Sequence, residues 1–188
     1  MRPRWILPVV LVAAIITAAA GVAARAVYTH PVNSAPTAVL PNDRPLAPDE
    51  EPGSGEVTAT TDATAHPLYE TVHGLLQTYF DAINGHHYDQ WRTVVSARRA
   101  KLEPEQNWRR AYGTSRDGSI IIYRIESGPT DSARVLLGFT STQNADLAPP
   151  ELPVPCIRWK LVFPITHEDG AWKLDSGPTS SAPQHEPC

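Results

Sequence analysis

Two adjacent histidines, His86 and His87, are the side chains of this sequence whose type most readily suggests catalysis or metal binding. Asp81 and Asp89 lie nearby in the sequence, and a carboxylate can orient an imidazole ring for either task. Adjacent side chains point in different directions on a helix or strand, so the two histidines cannot bind one metal ion together. We therefore interpret them as part of an exposed turn. We predict no catalytic residue, no metal site and no cofactor.

A second set of residues could bind a ligand without reacting with it. Aromatic rings supply apolar surface, and the polar tips of Tyr and Trp can orient a bound molecule. The same rings could equally form an ordinary hydrophobic core, and both interpretations stay open. The candidate pocket residues are Tyr79, Trp91, Tyr112, Tyr123 and Trp159. Tyr123 is the weakest candidate, because Ile120 and Ile122 compete with it for the inner face of a strand.

Cys156 and Cys188 are the only cysteines of the chain. Outside the cytoplasm, an isolated pair of this kind predicts a disulfide. The bridge would fix a C-terminal tail, residues 177–188, to the folded domain. In the chain-entropy model, closing a loop of about thirty residues contributes roughly 3–4 kcal/mol of stability.

The N-terminal segment determines where these residues are delivered. An uncharged apolar run extends from Trp5 to Ala24, between Arg2 and Arg4 on one side and Arg25 on the other. About 20 helical residues suffice to cross a bilayer, so residues 1–28 predict a single transmembrane anchor. The basic N-terminus favours the cytoplasm, which places the rest of the chain outside. The alternative is a cleaved signal peptide and a secreted product.

Residues 29–66 have the composition of a spacer. Proline recurs among Ala, Thr and Ser, and large apolar residues are scarce. Such a segment buries too little apolar surface to offset its conformational entropy. We predict a disordered, semi-extended linker that holds the following domain away from the membrane.

The charge of the chain excludes one class of partner. The formal net charge is −4 and the isoelectric point is near 5.9, which argues against nucleic-acid binding. A compact basic cluster, Arg98, Arg99 and Lys101, lies close to Glu103 and Glu105 in the sequence. We interpret this cluster as the solvated end of a helix.

Residues 67–176 predict one α+β domain. Apolar residues from Leu68 to Ile83 recur at helical spacing, which predicts a helix over Pro67–Asn84 with Gly85 as its left-handed cap. A second helix is predicted to begin near Asp89 as its N-cap, and a third to cover Pro104–Tyr112. The strands are predicted at Ser119–Ile125, Ala133–Thr142, Cys156–Thr166 and Ala171–Leu174, with a hairpin turn at Glu168–Gly170. This order predicts helices packed on one face of an antiparallel sheet.

Two short passages resemble the nuclear transport factor two-like (SnoaL-like) superfamily. Residues 79–89, YFDAINGHHYD, are similar to the end of the first helix and the following turn of that family. Residues 169–175, DGAWKLD, are similar to its closing hairpin. The resemblance implies a curved, cone-like roll around a cavity, in an exported bacterial protein. Some members catalyse reactions in this cavity, whereas others only bind ligands or form dimers.

The predicted strands offer no carboxylate or histidine that is clearly placed for acid–base chemistry. We therefore expect a membrane-tethered, non-enzymatic domain that binds an envelope protein, a second copy of itself or a small apolar ligand. One alternative is a small lyase, isomerase or hydrolase that acts on a hydrophobic substrate in the cone. Another is a structural component of an envelope or lipid-transport complex.

Overall fold

The computed structural model describes residues 46–176 and 183–188, and over these ranges the fold is α+β, as predicted. The helices are α1 (Thr61–Thr64), α2 (Tyr69–Asn84), α3 (Tyr88–Val94), α4 (Ala97–Leu102) and α5 (Glu105–Tyr112). The strands are β1 (Thr58–Ala59), β2 (Arg116–Ser127), β3 (Ser132–Thr142), β4 (Cys156–Glu168), β5 (Ala171–Leu174) and β6 (Gln184–Pro187). A 3₁₀ turn, Ala145–Leu147, follows β3.

The predicted membrane anchor, residues 1–28, lies outside the described residues, as does the first part of the predicted linker. Within residues 46–176 and 183–188, every helix is too short or too polar to cross a bilayer.

Helix α2 confirms the helical periodicity, and one face of it is buried. Its end differs from the prediction, because Gly85 has a right-handed backbone with φ −88°. The left-handed residue is His86, with φ 58°. The N–H of His87 then donates to the carbonyl of Ala82 at 2.8 Å, which satisfies a carbonyl in the last turn. The buried residues of α2 are Val72, Leu75, Leu76, Tyr79, Phe80, Ala82 and Ile83.

The three shorter helices follow α2 without a strand between them. Asp89 was predicted to cap α3, and this is wrong: α3 begins at Tyr88, and Asp89 lies within its first turn. A carboxylate there still interacts favourably with the helix dipole. Helix α4 was not predicted, whereas α5 matches the predicted third helix and begins directly after Pro104.

The sheet has the strand order β1-β2-β3-β4-β5, and β6 pairs with β4 beside β5. The pairs from β2 to β5 are antiparallel, as predicted. The sheet as a whole is mixed, because Thr58 and Ala59 pair in parallel with Ile121 and Ile122 of β2. Two register shifts interrupt the pairing of β2 with β3, and irregularities of this kind bend a strand.

The hydrophobic core lies between one face of this sheet and the helices. Val135 and Leu137 of β3 and Ile165 of β4 are buried with the apolar face of α2. On the other face of the sheet, Leu136 and Val162 are exposed and pair across β3 and β4. The alternation predicted for β3 and β4 is therefore confirmed.

The folded domain begins earlier than predicted. The predicted linker extended to residue 66, but Val57 and Ala63 are buried in the core. Gln77 of α2 accepts a hydrogen bond from the N–H of Val57 at 2.8 Å and donates to the carbonyl of Gly55 at 3.1 Å. Tertiary contacts, rather than composition, order this segment.

The C-terminal end confirms the predicted disulfide. Cys156 at the start of β4 is bonded to Cys188, with a Cα–Cα distance of 5.4 Å. The residues before Cys188 also form β6 along Ile157–Lys160, which was not predicted. A structural disulfide is typical of an oxidising compartment, so the bridge fits a location outside the cytoplasm.

Candidate ligand-binding site

Helix α4 begins at a cap that directs one arginine into the protein. The Ser96 side-chain oxygen accepts a hydrogen bond from the N–H of Arg99 at 3.1 Å. The same hydroxyl donates to Asp175 Oδ1 at 2.6 Å, which attaches the helix start to the residue after β5. Arg98 points outward and forms an ion pair with Asp175 at 2.7 Å. Arg99, one position later, faces the core.

Arg99 is a buried cation, with an exposed fraction of only 7%. Its Nη2 donates to the Tyr79 hydroxyl at 2.8 Å, and Glu103 Oε1 lies 3.9 Å from its Nε. Its guanidinium carbon lies 5.1 Å from the Tyr79 ring centre, 5.2 Å from Phe163 and 5.9 Å from Trp91. The interpretation of Arg98, Arg99 and Lys101 as a solvated cluster is therefore wrong for Arg99.

The surroundings keep this guanidinium charged. Burial lowers the pKa of Arg99, but the hydrogen bond to the Tyr79 hydroxyl and the nearby Glu103 carboxylate raise it, and it lies above its ordinary value. Burial also raises the pKa of Tyr79 and of Glu103, although Arg99 acts in the opposite direction on both. The pKa of Tyr112 is raised by its neighbour Tyr79 and by burial. The two tyrosines are therefore neutral hydrogen-bonding groups near neutral pH.

Three buried polar atoms near this arginine have no hydrogen-bond partner within the described part of the chain: Trp91 Nε1, Trp108 Nε1 and Glu103 Oε2. The two indole rings are 5.9 Å apart, and Trp108 is 5.4 Å from Tyr112. An unpaired buried polar group costs roughly 1–3 kcal/mol, so each such atom needs an explanation such as water or a ligand. The interior thus offers unused hydrogen-bonding groups among aromatic rings.

A buried carboxyl group, which the sequence analysis missed, faces the same interior. Asp117 of β2 is 5% exposed and lies opposite Ser141 of β3, whose side chain lowers the Asp117 pKa and so opposes part of the effect of burial. Asn84 accepts from the Asp117 N–H at 2.7 Å and donates to its carbonyl at 2.9 Å. Burial raises the pKa of Asp117 to about 6. Asp117 also contributes to the raised pKa of Tyr79, so the two groups interact.

The position of Asp117 explains why it was missed. The pair Asp117-Gly118 is typical of a turn, and the strand was predicted to begin after it. The observed strand begins at Arg116. Side chains alternate between the two faces of a strand, and this alternation places Asp117 on the face toward the helices.

The structure brings three of the five predicted pocket residues together. Tyr79 and Trp91 contact Arg99, and Tyr79 and Tyr112 are close enough that each shifts the pKa of the other. We call Tyr79, Trp91, Arg99, Glu103 and Tyr112 the Arg99 cluster.

The other two predicted pocket residues lie elsewhere. The ring of Tyr123 packs against Gly138, where an added Cβ would lie 3.0 Å from Tyr123 Cε2. Trp159 stacks on Phe139, with ring centres 6.4 Å apart, and lies 5.1 Å from His185 of β6.

The histidines that first suggested chemistry are exposed. His86 and His87 lie in the turn between α2 and α3, as predicted. Within residues 46–176 and 183–188, the His, Cys, Asp and Glu side chains form no group of three that could hold a metal ion.

Comparison with known proteins identifies no family or relative for this chain. No protein-family model matches the chain, and no curated protein matches it. The resemblance to the nuclear transport factor two-like superfamily therefore depends on the two sequence passages and the order of helices and strands.

Proposed function

We propose that this protein is a membrane-tethered, extracytoplasmic domain of non-enzymatic type. Its interior binds a small, largely apolar ligand that carries a hydrogen-bond acceptor. The curved sheet and its helices would form the cone-like roll that the superfamily resemblance implies. Tethering is supported by the apolar run Trp5–Ala24, and an oxidising location is supported by the disulfide.

The observation that carries this proposal is the group of unpaired buried polar atoms around Arg99, which among the described residues are Trp91 Nε1, Trp108 Nε1 and Glu103 Oε2. A guanidinium has five N–H donors. The structure gives Arg99 one side-chain hydrogen bond, to Tyr79, and an ion pair with Glu103 at 3.9 Å. Aromatic rings surround it, and the N–H of Trp91 is also unpaired. A ligand with an apolar body and a carbonyl or carboxylate oxygen would satisfy these donors and contact the rings.

The test is native mass spectrometry of the full chain purified from its native membranes. We expect a small molecule bound to the wild-type protein, and its loss in Arg99→Lys, because lysine cannot reproduce the planar fork of donors. Arg110→Lys is the matched control, since Arg110 is exposed on α5. Equal occupancy in all three proteins, or none in the wild type, would contradict the proposal.

Asp117 favours a second candidate function, which is acid–base catalysis on a ligand in the same interior. A carboxyl group with a pKa near 6 is mostly ionised at pH 7 and is well suited to accept a proton. The captured molecule would then be a substrate or product. Chromatography after incubation with fresh protein distinguishes the two functions. Conversion by the wild type and none by Asp117→Asn supports the enzyme, whereas an unchanged molecule supports binding alone.

A further inference from the structure

The described residues form an open groove of about 700 Å³ beside the disulfide. We call it the cystine groove. Its apolar walls are Leu46, Pro48, Val154, Pro155 and Pro187, together with the Cys156–Cys188 bridge. Ligand pockets typically have volumes of about 300–1,000 Å³, so the groove is large enough for a small organic molecule.

The walls of the cystine groove are held in place before any ligand binds. Proline has a fixed φ and no long side chain to order, and the disulfide attaches one wall covalently. Gln143 secures the loop that leads into Cys156: its N–H donates to the carbonyl of Pro155 at 2.9 Å, and its Nε2 donates to that of Val154 at 2.8 Å. Binding to a preorganised site of this kind loses little conformational entropy.

The described groove lining contains one acidic side chain and two basic ones, and the two basic ones differ in their partners. Glu51 supplies the one acidic side chain among the described lining residues; it is paired with Arg158 at 2.8 Å and is only 4% exposed. Arg158 also donates to the carbonyl of Cys188 at 3.2 Å. Arg116 lines the groove and is exposed, and among the described residues its guanidinium has neither an ion pair nor a hydrogen bond. The groove therefore combines an apolar wall with one unpaired cation.

We propose that the cystine groove binds a small organic acid, with its apolar body against the proline wall and its carboxylate paired with Arg116. A guanidinium matches the geometry of a carboxylate and can bind it through two parallel hydrogen bonds. Arg158 engages both the Glu51 carboxylate and a main-chain oxygen of Cys188, which leaves Arg116 as the cation available to a ligand among the described lining residues. This site is separate from the Arg99 cluster and goes beyond the function proposed above.

The test compares naphthalene-2-carboxylate with its neutral counterpart, naphthalene-2-carboxamide. Both are measured by equilibrium dialysis against the full chain in lipid nanodiscs, with empty nanodiscs as the reference for partitioning. We expect saturable binding in which the acid binds more tightly than the amide. Arg116→Gln should weaken binding of the acid about fivefold, which is the upper range for an exposed ion pair, and should leave the amide unchanged.

Two further variants serve as a control outside the groove and as a block of the groove itself. Arg110→Gln removes an exposed arginine on α5, outside the groove lining, and should bind the acid as the wild type does. Val154→Trp should fill the groove and abolish binding of both probes. An intact disulfide, measured by mass after alkylation, shows that each variant has retained its C-terminal structure.

Several outcomes would overturn the proposal: no binding above that of empty nanodiscs, equal affinity for acid and amide, an unchanged affinity in Arg116→Gln, or retained binding in Val154→Trp. Arg99→Lys should leave binding in the groove unchanged. Failure at this site is therefore distinguishable from failure of the proposed interior site.

Discussion

The interior of this protein contains two ionisable residues of opposite charge that most small domains keep at the surface. Arg99 and Asp117 are both buried, and each is fixed by a serine and by groups on α2. Burying a charged group is unfavourable unless hydrogen bonds or an opposite charge compensate. Each residue is therefore stable in the interior only because of these contacts.

At the scale of single residues, the titration of Asp117 predicts how the free energy of unfolding depends on pH. Its folded pKa of about 6 exceeds the ordinary value of 3.8, so between these values the folded state binds more protons than the unfolded state. The contribution of Asp117 to stability therefore falls as pH rises from about 4 to about 6, by roughly 3 kcal/mol at most. Asp117→Asn should remove this dependence and leave the protein more stable than the wild type at pH 7.

Urea unfolding of both proteins at pH 4, 5, 6 and 7 measures the difference in free energy of unfolding. The comparison cancels the other titrating groups, because they are common to both proteins. A difference that does not change with pH would show that Asp117 titrates normally.

At the scale of helices and strands, the connection between α4 and β5 determines the shape of the Arg99 cluster. The Ser96 hydroxyl caps α4 and also reaches Asp175, and the N–H of Ser96 donates to the carbonyl of Leu174 at 2.8 Å. Helix α4 has only six residues, so its position depends on these contacts more than on helix propensity.

We therefore expect Ser96→Ala to lower the free energy of unfolding by about 1–2 kcal/mol, the usual cost of losing an N-cap. The same change should increase hydrogen exchange at the N–H of Arg99. Thr93→Ala is the control, because Thr93 is exposed and its hydroxyl bonds only to Gln90 within α3. Equal losses in the two variants would show that the Ser96 cap has no special role.

The same scale shows which parts of the fold the sequence could predict. Helix α2 and strand β4 carry a repeating apolar pattern along their length, and a pattern of this kind reflects one buried face. Strand β1 has only two residues. It is held by its pairing with β2 and by the hydrogen bond that the N–H of the preceding Val57 donates to Gln77 on α2. No local pattern encodes such contacts.

The candidate site was partly predictable for a related reason. Tyr79, Trp91 and Tyr112 were identified by residue type, because large aromatic rings in a small domain are usually buried. Arg99 was missed since it adjoins exposed Arg98, and only the geometry of the Ser96 cap separates the two. The available signal was a serine that could cap the helix three residues before Arg99, the second arginine of α4.

At the scale of the whole molecule, the disulfide joins the last strand to the sheet. Strand β6 has four residues, and within the described part of the chain it pairs with β4 alone, so we expect its stability to depend on the bridge. We expect Cys188→Ser to lower the free energy of unfolding by roughly 3–4 kcal/mol in the chain-entropy model.

Hydrogen exchange should then increase at Gln184–Pro187 and along the facing part of β4, while α2 remains protected. Cys156→Ser and the double variant are the matched controls, and both should behave like Cys188→Ser. Unchanged protection of β6 would show that strand pairing alone holds the tail.

The ion pair between Glu51 and Arg158 has a mechanical consequence. It joins residues 107 positions apart, and Ser119 adds hydrogen bonds to Pro52 and Ser54. The segment that begins at residue 46 is therefore attached first to β2 and β4, near the disulfide. Its contacts with α2, made by Gly55 and Val57 to Gln77, come later along the chain, so a pull on residue 46 would load the sheet before the helix.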